Sequence, residues 1–256
     1  MLEQNSPGPP LHPAAPAPEA WKHHDAPGHP RRPRGARPGE IDWPSRLRTL
    51  ERQRRLLQRG VEQPRRADLA EHFAHATFCS FLLEGLQVSQ AEVLATLETT
   101  PQQRTLRSRQ ALRIRNHVSI LRHIENALLA GEPLCAGGVV RWYTSISCGL
   151  CTAALDGPSV ARLEQIVRQI NSPQLRLQPA LQEIAALHST LLSDPLVPGF
   201  NGILARLLLR YHLGRCSLPG VVIPADIPPA TLRQAERFVP ILLELLDGRF
   251  AELLAE

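Results

Sequence analysis

Two stretches of this 256-residue chain place residue types that do chemistry at suggestive spacing. The first is Ser80-Phe81-Leu82-Leu83-Glu84-Gly85. Glu84 follows a run of small and apolar residues and precedes a glycine, so it lies at a helix end. A carboxylate there needs a partner, because desolvating it alone is costly. The second stretch runs from Pro195 through Pro198, Gly199, Phe200, Asn201 and Gly202 to Arg206. A glycine-containing loop that enters a strongly apolar helix offers backbone amides and a positive helix end to an anion. Arg206, in the first turn, adds a charge-assisted donor.

Three other clusters hold less chemistry. Cys148 and Cys151 have the spacing of a redox or metal pair, but zinc needs two more ligands and there is no second such pair. A redox pair belongs in a strand–helix–strand setting, which the sequence lacks, so both cysteines are expected to be small helix residues. His72 and His75, with Glu71 beside them, could face a metal from one side of a helix, but the metalloprotease order of these residues is absent. Cys79 and Cys135 are expected to be ordinary buried cysteines.

The elements that must position these residues are helices. Apolar residues recur at threes and fours from Trp43, from Arg66 to Leu86, and from Arg104 to Ala130, where Gly131 is the expected stop. Ser89 with Glu92 three residues later forms a capping box. Further helices are expected over 138–150, 157–170, 174–192, 202–213 and 231–254. Pro179 either splits its helix or marks its first turn, and Pro240 is expected to kink the last one. The only candidate strand is Gly220 to Pro224. The expectation is an all-α domain of about eight helices over 41–256, behind a disordered tail over 1–40. That tail holds ten of the 24 prolines and reads as a solvated, Arg-bearing leader.

Composition excludes several classes. No run approaches the roughly 20 apolar residues of a spanning helix, and the N-terminus lacks a secretory pattern, so a cytoplasmic protein with reduced thiols is expected. The net charge is +5, and Lys22 is the only lysine. Glu51, just before the arginines from Arg52 to Arg66, and Glu62 among them argue against nucleic-acid binding.

Together the two stretches resemble the Fic (Fido) family, an all-helical fold whose members mostly transfer AMP from ATP to a protein hydroxyl. Its inhibitory motif is Ser or Thr, three residues, Glu, then Gly or Asn; Ser80, Glu84 and Gly85 match it. Its active-site motif is HPFxxGNGRxxR. Without a gap, Asn201, Gly202 and Arg206 fall on the motif's Asn, second Gly and last Arg, the nucleotide-binding positions. Pro195 then replaces the catalytic His, Gly199 the metal-binding acid and Ile203 the first Arg. With a gap, Asp194 stands at the His and Pro198 at the acid. His188 lies ahead of the loop, Asn116 in a long helix, and Gly149 to Gly157 is short for the family's target-docking hairpin.

The resemblance therefore implies a degenerate Fic protein, inactive as an adenylyltransferase and serving as a binding or regulatory module with a protein partner. It leaves no certain cofactor: a weak ATP site at most, and no magnesium. The alternative is an active transferase of a nucleotidyl or phosphate moiety with a non-standard site, using Asp194 as its base. That alternative requires an open, polar pocket around Asn201 and Arg206 rather than one filled by Phe200 and Ile203. In the family, Glu84 would bind Arg206 and block the γ-phosphate; here the pair is expected to persist as a buried structural ion pair.

Overall fold

A computed structural model describes residues 42–60, 66–98, 108–148, 156–172 and 176–255. The expected tail over 1–40, Cys151, and most of the short stretch before Gly157 lie outside the described residues. Among the described residues ten helices run in order: α1 (Trp43–Gly60), α2 (Arg66–Leu83), α3 (Gln90–Glu98), α4 (Arg109–Leu129), α5 (Ala136–Ser147), α6 (Gly157–Asn171), α7 (Leu177–Ser193), α8 (Asn201–Arg215), α9 (Pro229–Leu232) and α10 (Ala235–Ala255). The described residues contain no strand, and none of these helices is long and apolar enough to cross a membrane.

α8 is the axis of the fold. Twelve of its fifteen residues are buried, including Ile203, Leu204, Leu207, Leu208 and Tyr211. A helix buried on every side must be surrounded by others. α2, α4, α6 and α7 all pack against it. Two apolar clusters meet along α8. One joins α2, α4, α5 and α6 to its first turns. The other joins α1, α7 and α10 to its last turns, through Leu209 and Leu213.

Local signals set most boundaries. Ser89 Oγ accepts from the Glu92 amide at 3.1 Å, as the capping box requires. Ser108 caps the long helix: its backbone is extended and its side chain takes the Ala111 amide, so α4 begins at Arg109, while the expected start at Arg104 lies outside the described residues. Asp156 caps α6 in the same way. Pro179 lies in the first turn of α7, where a missing N–H costs nothing. Pro240 lies inside α10, and the last expected helix is divided in two, with α9 ending at Leu232.

Two expectations are corrected here. Gly220 to Pro224 runs as coil: one side of it anchors Ile223 in the core, and no second strand is present among the described residues to pair with its backbone. Cys135 is exposed rather than buried, because it caps α5 with its Sγ 3.3 Å from the Gly138 amide.

Candidate functional site

The end of α2 presents Glu84. The Leu86 amide bonds back to the Phe81 carbonyl at 3.0 Å, and the Gly85 amide to Leu82 at 2.9 Å. This is a Schellman ending, and Gly85 has the φ of +72° that it demands. Glu84 is thereby fixed as the last residue before the chain turns away. A carboxylate at a helix C-terminus is unfavourable beside the helix dipole, so its stabilisation must come from outside α2.

It comes from α8. Arg206 Nη2 donates to Glu84 Oε1 at 3.0 Å and to the Ser80 carbonyl at 2.7 Å, while its Nε donates to Ser80 Oγ at 2.7 Å. The Arg206 side chain is 10% exposed and that of Glu84 19%. Burial pulls the Arg206 guanidinium below the usual arginine range, and Glu84 works against that shift. The expected ion pair between two residues 122 positions apart is therefore formed, with Ser80 as its third member.

Gly202 makes this approach possible. A Cβ at position 202 would stand 1.9 Å from Glu84 Oε1 and 3.1 Å from Arg206 Nη1. The carboxylate thus lies against the first turn of α8, the positive end of that helix dipole. Glycine is needed here for space, not for an unusual φ.

The turn before α8 is folded onto itself. Asn201 Oδ1 accepts from the Leu196 amide at 2.9 Å and the Val197 amide at 3.4 Å, and its Nδ2 donates to the Leu191 carbonyl at 2.5 Å. Both ends of its amide are therefore spent on the loop. Tyr143 donates its hydroxyl to the Pro198 carbonyl at 2.7 Å. Phe200 precedes α8 with a φ of +50°, a strained conformation for a bulky residue, and its ring lies 4.7 Å beneath the Arg113 guanidinium. Phe200 packs against the core and Ile203 is fully buried. Beside Arg206, a cavity of about 30 Å³ lies among Ser80, His117, Arg210 and Val222. That is room for about one water.

Asp194 stands apart from this arrangement. Its carboxylate is paired with Arg162 at 2.8 Å, its side chain is 72% exposed, and Arg162 also bonds its carbonyl. His188 stacks on Phe238, with ring centroids 4.6 Å apart, and neither ring nitrogen has a hydrogen-bond partner among the described residues. Burial pulls its pKa down to about 3, with Arg206 adding to the shift. Asn116 donates to the Ser145 carbonyl at 2.6 Å and lies near Cys148, which ends α5 with a φ of +52°.

A second buried network, absent from the sequence reading, lies one turn along α8. Arg210 Nε donates to Glu125 Oε1 at 2.8 Å, and Arg210 Nη1 donates to His72 Nε2 at 2.9 Å. Arginine has no acceptor, so His72 Nε2 must be unprotonated, and burial beside Arg210 holds its pKa down at about 2. His72 Nε2 is thereby engaged by a cation rather than open to a metal. Among the described residues no group of three His, Cys, Asp or Glu is placed to hold a metal ion. His117 Nδ1 donates to Thr77 Oγ1 at 2.9 Å, since that hydroxyl gives its own proton to the Phe73 carbonyl. The available signal was the pair Arg206 and Arg210, one turn apart in a leucine-rich helix: two buried guanidiniums require two acceptors.

No family model matches the chain, and no curated protein matches it by sequence. A solved structure does: Fic-1 from C. elegans is similar at a TM-score of 0.66 and 16% identity, over 83% of this chain and 71% of that one. A likeness at that identity concerns the path of the chain, and it shows that the protein has a Fic-like helical fold.

Proposed function

We propose that this is a Fic-fold protein that has lost adenylyl transfer and acts as a binding or regulatory module, with its former nucleotide site kept as a structural pin. One observation carries the reading. Arg206, the surviving phosphate-type donor, is spent on Glu84 and Ser80, and the cavity beside it among the described residues measures about 30 Å³. Ligand sites need roughly 300–1,000 Å³.

The residues of the turn agree with this reading. A general base needs a pKa near the working pH and access to the incoming hydroxyl. Pro195 has no proton acceptor, and Asp194 is paired with Arg162 in solvent. Pro198 and Gly199 supply no carboxylate, so the donor set does not fit magnesium. Asn201, Gly202 and Arg206, which a nucleotide would meet, hold the loop and the ion pair instead. ATP binding in this reading is weak at most. A protein partner and a cytoplasmic setting go with it, the four described cysteines being thiols.

The test is incubation of the wild-type chain and Glu84→Gly with labelled ATP and Mg²⁺. The expected result is no label on either chain. Label transfer by Glu84→Gly would overturn the reading and favour the active alternative. In a thermal shift assay, millimolar ATP, ADP or GTP is expected to leave the unfolding midpoint unchanged.

A further inference from the structure

Away from the first turns of α8, α1 and the start of α7 enclose a groove of about 880 Å³. Its aliphatic lining comes from Leu47, Leu56, Leu177 and Pro179, and Leu56 is 45% exposed. Its charged lining is Arg48, Arg52, Arg55 and Arg176, all exposed. Arg48, Arg52 and Arg55 follow at i, i+4 and i+7, so they share one face of α1 over about 10 Å.

The charge on this face is unbalanced. Arg46 pairs with Asp247, and Arg54 bonds Glu51 and the Cys216 carbonyl, so these two are tied to the rest of the fold. Arg48, Arg52 and Arg176, by contrast, have no ion pair among the described residues. Among the described residues the one carboxylate lining the groove, Glu51, is already shared by Arg54 and Arg55. Apolar surface flanked by unmatched guanidiniums is complementary to a segment with leucine-like side chains on one face and carboxylates on the other.

We propose that this groove docks an acidic amphipathic helix of a partner protein. Its carboxylates, spaced one turn apart, would meet Arg48, Arg52 and Arg176 while its apolar face covers Leu56 and Leu177. A nucleic acid fits less well: among the described residues no aromatic side chain lines the groove to stack a base.

The test uses the full chain and a fluorescein-labelled helical peptide with leucine on one face and glutamate on the other, followed by anisotropy at physiological salt. Saturable binding is expected. Arg48→Glu with Arg52→Glu should weaken it by about tenfold or more, and Leu56→Ser should also weaken it. A control double reversal at the exposed Arg109 and Arg122 changes net charge equally and should leave affinity within about twofold. Arg48, Arg52 and Arg176 are exposed and have no ion pair among the described residues, so thermal midpoints should be unchanged. If the double variant unfolds early, Arg176→Glu alone serves in its place. Absence of saturable binding, equal loss in groove and control variants, or tighter binding of single-stranded RNA through the same arginines would each overturn the proposal.

Discussion

Substituting Gly202 by alanine tests the site directly, because the outcome should depend on Glu84, far earlier in the chain. The new methyl would be built 1.9 Å from Glu84 Oε1, far inside van der Waals contact. The clashing atom is the tip of a flexible side chain, so Glu84 would swing away rather than the backbone break. The loss is then that of the ion pair. Removing one partner of a buried pair costs about 3–5 kcal/mol, and Ser80 still holds Arg206, so the lower end applies. Alanine's better helix propensity returns up to about 1 kcal/mol, leaving about 2–3 kcal/mol of net destabilisation. Glu84→Ala alone should cost about 3 kcal/mol for the same reason. In the double variant that clash is gone, and the nearest remaining neighbour is the flexible tip of Arg206, 3.1 Å from the added methyl. Gly202→Ala should then be neutral or stabilising, so the double variant should be no worse than Glu84→Ala. Urea unfolding followed by tryptophan fluorescence and far-UV circular dichroism gives all four corners of the cycle. Two losses that simply add, within about 0.5 kcal/mol, would refute the contact between Glu84 and the first turn of α8.

Other perturbations follow from the same packing. His72, His117, His188 and His212 are held down at pKa values of about 2, 3, 3 and 4, each chiefly by burial. Because these values lie below the unfolded value of about 6.5, the unfolded chain binds protons first. Stability should be full above about pH 6.5 and should fall as the pH drops toward 4, by about 1.4 kcal/mol per histidine at about pH 5.5. A urea midpoint equal at about pH 7.5 and about pH 5.5 would contradict this. Asn201→Ala should cost about 2–3 kcal/mol, since it leaves the Leu196 amide and the Leu191 carbonyl without their partner; the thermal midpoint measures this. Thiol labelling of the folded chain should begin at exposed Cys135, while Cys79 and Cys216, pushed up to about 11 by burial, should react only on unfolding; mass-mapped alkylation reads the order.

Local patterns in the sequence determined much of this protein. Apolar spacing placed the helices, because a helix repeats its buried face every 3.6 residues wherever its neighbours lie. Ser89 with Glu92, and Gly85 after Glu84, marked helix ends through interactions within a few residues. The demand that Glu84 find a cation was also legible, as was the lack of an acceptor at Pro195. What tertiary structure decided is how each polar group was used. Asn201 suits an anion loop by type, yet its amide closes the turn; Asp194 suits a base by position, yet Arg162 claims it. Glu125, His72 and Arg210 meet across 138 positions without any local pattern joining them. Helix periodicity records which face is buried but not which distant face covers it, so the partner of a buried polar group is fixed only when the helices pack.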